Sequence, residues 1–141
     1  MGTINEQPQD ARTASAAPTR RRALVVDDSR MVRRASRSIL EEFGFAVTEA
    51  EDGAEALARI KAGGMPDLIT LDWNMPNMSG IETLRALRAQ YGDALGKVMF
   101  CTTNTDAIDI HKGIDAGATE WIVKPFDKPS MRAKLEKIGA I

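Results

Sequence analysis

An α/β fold of five parallel strands, each followed by a helix, is what this sequence predicts. Three observations carry the prediction. Short apolar runs recur along the chain, ALVV, LITL, VMFC and EWIV among them, and stretches of helical period separate them. The runs are continuous rather than alternating, as in strands covered on both faces. Polar residues stand at their ends: Asp27 and Asp28, then Asp72, Thr102 and Lys124. In an open parallel sheet all carboxyl ends lie along one edge, where ligands bind.

The elements follow in order. Residues 1–19 are rich in Ala, Thr, Gln, Pro and Ser and show no apolar period. Residues 1–22 are therefore expected to be a disordered extension, with Arg20, Arg21 and Arg22 as a solvated tether rather than a nucleic-acid contact. One domain should occupy 23–141. ALVVD (23–27) is the first strand, and Ser29 is a suitable N-cap for a helix over 30–43, stopped by Gly44. AVTEA (46–50) is the second strand. Asp52 can cap a helix from Gly53, with Ala56, Leu57 and Ile60 at helical spacing and Gly63, Gly64 and Pro66 at its end. DLITLD (67–72) is the third strand, and NMPNMSG (74–80) a loop. Ser79 begins a helix with Ile81, Leu84 and Leu87 on one face. KVMFC (97–101), a helix over 105–116 closed by Gly117, TEWIV (119–123) and a helix over 127–138 complete the pattern. Right-handed crossovers with helices on both faces give a (βα)5 doubly wound parallel five-stranded sheet of flavodoxin-like order 2-1-3-4-5.

Composition narrows the function. The chain has 141 residues, 43% hydrophobic and 28% charged, enough for one compact domain. Its net charge of −1 gives no general attraction to nucleic acid. Nothing approaches a membrane span, and the N-terminus lacks the apolar core of a secretory signal. The single cysteine, Cys101, fits a reduced, cytoplasmic setting and reads as a small buried hydrophobe.

The strand ends suggest chemistry. Asp27 and Asp28 side by side repel unless a cation intervenes, and Asp72 adds to the strain. Carboxylate oxygens, carbonyls and water suit octahedral Mg²⁺. The competing reading lets Asp28 cap the first helix while Asp27 faces water. Asp72 beside a metal can be a nucleophile toward phosphorus. Lys124 can reach phosphoryl oxygens as a point charge, helped inward if its bond to Pro125 is cis, and Thr102 can donate a hydroxyl. The set suits phosphoryl transfer onto Asp72.

With VVDDS, LITLDWNMPNMSG, CTT at 101–103 and DAGATEWIVKPF at 115–126, the chain resembles the receiver domain of two-component response regulators over about 23–138. The resemblance implies Asp72 as phosphoacceptor. It implies Asp28 and Asp72 as direct Mg²⁺ ligands, Asp27 through water, and the backbone carbonyl of Asn74 as a further ligand. Thr102 and Lys124 match the hydroxyl and lysine that bind the acyl phosphate. Trp121 occupies the place of the switch aromatic, usually Tyr or Phe, whose inward turn changes the surface of the fourth helix, fifth strand and fifth helix. Indole is larger and its N–H needs a partner when buried, so Trp121 is also readable as a half-buried interface aromatic. Asn74 and Asn104 match positions that influence acyl phosphate lifetime and are assigned positioning roles.

The expected partners are a sensor histidine kinase or histidine phosphotransferase and a downstream protein the sequence does not name, with no nucleic acid and no membrane, and a monomer as the default. Because the sequence ends soon after the last helix, a stand-alone, CheY-like regulator is expected, acting by protein contact rather than as an output enzyme. Arg30, Arg33, Arg34 and Arg37 form a stripe that is either solvated or a dock for an acidic partner. Met75 and Met78 offer adaptable packing or plain loop contacts, and His111 reads as a surface histidine. A phosphatase with an aspartyl intermediate usually shows a second Asp where Asn74 stands. A flavin-nucleotide binder would not place Asp27 and Asp28 in its phosphate loop. An adaptor working without phosphorylation should have lost an Asp or the Lys.

Overall fold

The computed structural model describes residues 20–103 and 106–141. Its elements run β1 (Arg22–Val26), α1 (Arg30–Glu42), β2 (Ala46–Ala50), α2 (Gly53–Gly63), β3 (Leu68–Asp72), α3 (Gly80–Tyr91), a 3-10 turn (Gly92–Ala94), β4 (Lys97–Thr102), α4 (Ala107–Asp115), β5 (Glu120–Val123) and α5 (Lys128–Lys137). All pairings are parallel, in the order β2-β1-β3-β4-β5. The expected fold and strand order are the ones observed.

Strand alternation divides the core into two layers. Ala23, Val25, Leu68, Met99 and Ile122 pack with Leu40 of α1 and Met131 and Leu135 of α5. Leu24, Val26, Ile69, Leu71 and Phe100 pack with Ala56 and Ile60 of α2 and Leu84 and Leu87 of α3. β3 is buried throughout its length, which explains its unbroken apolar run. No helix among the described residues is long and apolar enough to cross a membrane.

Helix starts aim the loops at one edge. Ser29 accepts from the Val32 amide, Asp52 from Glu55, and Asp127 from Ser130. Ser79 and Glu82 form a reciprocal capping box on α3. Because Ser29 caps α1, Asp28 does not, and its carboxylate is left for other work.

Three expectations change. Arg22 belongs to the sheet rather than to a tether: its amide donates to Asp67 Oδ2 at 2.8 Å and its guanidinium to the carbonyls of Gly63 and Met65, both at 2.9 Å. Carbonyls left unpaired at a helix C-terminus attract such a cation. The arginine stripe on α1 is divided. Arg33 and Arg37 bind Glu49 of β2 at 3.1 and 3.0 Å, while Arg30 and Arg34 face solvent. Opposite charge on the neighbouring edge strand, invisible within one helix, makes the difference. The fourth helix starts later than expected, at Ala107, because the Asp106 side chain caps it through the Ile108 amide at 2.8 Å.

Candidate functional site

The sheet's carboxyl edge gathers the residues marked by the sequence. Asp27 follows β1 and is 3% exposed. Its amide donates to Ala50 of β2, and its Oδ1 accepts from the Ser29 amide at 2.9 Å. The Arg33 guanidinium holds the Asp27 carbonyl at 2.7 Å. Asp28 is exposed beside it. Asp72 closes β3 and is 6% exposed. One carboxylate oxygen from each of the three lies within 4.8 Å of the others. That donor set, all oxygen and partly open to water, fits a hard divalent cation such as Mg²⁺. Asn74 is exposed in the loop after β3.

Lys124 enters from the opposite side. It follows β5, and its amide donates to the Thr102 carbonyl at 2.8 Å. Its ammonium lies between two carboxylates, 2.7 Å from Asp27 Oδ2 and 2.9 Å from Asp72 Oδ1. The Lys124–Pro125 bond is cis. Thr102 ends β4 with its side chain buried. Asn104 lies outside the described residues.

The electrostatics follow from burial and crowding. Burial raises the Asp72 carboxyl to about 6; the Lys124 hydrogen bond opposes the rise, and the Asp27 charge adds to it. Burial also disfavours the Lys124 ammonium, but hydrogen bonds to Asp27 and Asp72 outweigh it and hold its pKa above the ordinary lysine value. Three acids thus face one ammonium, and the cluster retains net negative charge for a metal. Cys101, buried next to this edge, has its thiol pushed up to about 12, chiefly by burial, which makes it inert.

The loop after Asp72 is held to the strand by close packing. The Gly80 amide donates to the Trp73 carbonyl at 2.9 Å. A Cβ on Gly80 would stand 2.3 Å from the Asp72 carbonyl oxygen. Gly80→Ala should therefore displace Asp72 and cost about 1–3 kcal/mol in urea unfolding. An unchanged midpoint would mean that the turn yields freely. Met75 is packed against the α2–α3 core layer, and Met78 lies against Gly53 of α2, so both make internal contacts.

Trp121 is half-buried on β5, opposite Phe100 in the β4 register. His111 is exposed on α4, 3.2 Å from Asp115.

Other contacts of β4 and β5 were not foreseen. Trp73 packs edge-on against Phe100 at 4.8 Å, and Gly113 of α4 lies against both rings. A glycine inside a helical pattern was the available signal. Glu120 is 5% exposed on β5 and pairs with Lys137 at 2.9 Å and Lys134 at 3.6 Å. A charge in an inward strand position could have announced it. The ammonium of Lys134 also stands 4.5 Å above the Trp121 ring.

Comparison with known proteins agrees with this fold. A family model described as the response regulator receiver domain matches residues 23–136. The chain is 39% identical over 116 residues to the chemotaxis protein CheY of Pseudomonas aeruginosa, covering 82% of this chain and 93% of that protein. It is 38% identical to the chemotaxis protein CheY-3 of Vibrio cholerae, covering 82% and 88%. Among solved structures, chemotaxis protein CheY4 of Vibrio cholerae superposes with a TM-score of 0.79 at 34% identity, covering 85% of this chain and 99% of that one. A CheY-like receiver domain protein from Methanospirillum hungatei gives 0.77 at 27% identity, covering 86% and 96%.

Proposed function

This chain belongs to the family of response regulator receiver domains, CheY-like proteins of two-component signalling, and on that premise we propose that it is phosphorylated on Asp72 with Mg²⁺. The observation that carries the reading is the meeting of Asp27, Asp28 and Asp72 with the Lys124 ammonium at the carboxyl edge of the sheet.

The chemistry follows from the placement. An Asp72 oxygen attacks the phosphorus of the donor. The new O–P bond forms as the bond to the leaving group breaks, and the leaving group departs with that electron pair. Lys124 moves its charge from the Asp72 oxygen toward a phosphoryl oxygen, while its bond to Asp27 keeps it anchored. The Thr102 hydroxyl donates to another phosphoryl oxygen. Asp27, Asp28, Asp72 and the Asn74 carbonyl would hold Mg²⁺, which supplies charge neutralisation for the incoming phosphoryl group. Asn74 and Asn104 have positioning roles that influence how fast the acyl phosphate hydrolyses.

The donor is a sensor histidine kinase or a histidine phosphotransferase. Output is a protein contact made by α4, β5 and α5, with Thr102 and Trp121 as the moving parts. The acyl phosphate favours one of two surface states, and the target binds that state better. The setting is cytoplasmic, and the protein works as a monomer without nucleic acid.

Incubation with acetyl phosphate and Mg²⁺ should add one phosphoryl group per chain, read by intact mass and Phos-tag mobility. Peptide mapping should place it on the segment containing Asp72. Labelling that persists in EDTA, or maps to another segment, would count against the mechanism.

A further inference from the structure

Trp121 is gripped from one side by a group outside the phosphorylation site. The Lys134 ammonium of α5 lies 4.5 Å from the centre of its ring. The same ammonium is 3.6 Å from Glu120 Oε1, and that oxygen accepts from the Trp121 amide at 3.0 Å. The second Glu120 oxygen is held by Lys137 at 2.9 Å. Glu120 and Trp121 are neighbours on one strand, so their side chains leave β5 on opposite faces. Lys134 reaches both, from α5 and around the strand edge. Its side chain is 26% exposed and that of Glu120 is 7% exposed, so the cluster is partly shielded from water. A cation over an indole face is attracted by the ring quadrupole, more strongly for Trp than for Tyr or Phe.

We propose that Lys134 is a latch on Trp121: its ammonium, steadied by Glu120, holds the indole in the ring position seen here and sets how much phosphorylation is needed to move it. The latch rests on the reading of Trp121 as the switch aromatic and adds a positioning residue to it. Turning the ring away breaks the cation–π contact, which the phosphorylated state must compensate. Lys137 touches Glu120 but makes no contact with the ring among those described, so the two lysines separate a latch from a plain ion pair.

The test uses the full chain labelled with 5-fluorotryptophan. Its two tryptophans, Trp73 and Trp121, give two fluorine resonances, assigned with Trp121→Phe. Beryllofluoride with Mg²⁺ serves as the phosphoryl mimic. Lys134→Met keeps the aliphatic stem and removes the charge. It should move or broaden the resting Trp121 line, leave the resting Trp73 line in place as a check on folding, and lower the beryllofluoride midpoint about 2- to 5-fold. Lys134→Arg, which retains a cation for the ring, should restore the wild-type midpoint, and Lys137→Met should change it little. A responsive wild-type Trp121 line with an unchanged midpoint in Lys134→Met overturns the latch alone. An equal shift in Lys137→Met overturns it in favour of the ion pair. A wild-type Trp121 line that ignores beryllofluoride while the Trp73 line responds overturns the switch reading and the latch with it.

Discussion

Asp72→Asn is expected to abolish phosphoryl incorporation from acetyl phosphate and, at the same time, to make the metal-free protein more stable. The loss of label follows from removing the nucleophilic oxygen, since an amide does not form the acyl phosphate. The gain in stability follows from the burial and crowding that raise this carboxyl from 3.8 to about 6. A carboxyl whose folded value is raised binds more protons folded than unfolded between those two pH values, so its contribution to stability falls as pH rises through that window. Above about pH 6 the cost is fully present, on the order of 1–3 kcal/mol. The cost is mostly gone near pH 4 and vanishes well below 3.8, where both states are protonated. The asparagine carbonyl still accepts from Lys124, and Lys124 keeps its 2.7 Å partner Asp27. Urea unfolding in EDTA should thus favour the variant at pH 7 and show little difference near pH 4. Label retained on Asp72→Asn would exclude Asp72 as acceptor, and a variant less stable than wild type at pH 7 in EDTA would contradict the crowding argument.

Lys124→Met should have the opposite sign. The ammonium is the positive charge bonded to two buried carboxylates, and methionine fills its stem volume without its charge. Removing one partner of a buried ion pair leaves uncompensated charge, a loss of about 3–5 kcal/mol. Mg²⁺ should return a large part of that loss by replacing the missing cation. Thermal unfolding in EDTA and in Mg²⁺ measures both effects. An equal loss in the two conditions would mean that Lys124 stabilises by packing rather than as a counter-charge. The same substitution should weaken the response of the Trp121 fluorine line to beryllofluoride, because the mimic loses its lysine contact.

Much of the site was legible because strand ends are a one-dimensional signal. An apolar run followed by Asp, Thr or Lys marks both the strand and the edge to which it delivers its side chain. Asp27, Asp28, Asp72 and Lys124 were located in this way, and the structure brings them together. Helix starts were legible too, since Ser29, Asp52 and Ser79 act within their own turn. Contacts between elements distant in the chain were not. Arg33 and Arg37 read as a free stripe because Glu49 lies on another element, reached only when α1 packs beside β2. Arg22 read as tether because the Gly63 and Met65 carbonyls that bind it, at and just past the end of α2, are about forty residues away.

The sequence by itself determined the α/β class and the list of residues at the carboxyl edge, because these depend on periodicity and on local capping, and the strand order followed from the crossover rules for such a chain. Only the tertiary structure decided how that charge is shared. It set the Lys124 ammonium between Asp27 and Asp72, and it laid Lys134 over Trp121 with Glu120 beneath. The reason is range. Backbone pattern repeats within a few residues, whereas an ion pair or a cation–π contact acts over a few ångströms between groups that the chain brings together only on folding.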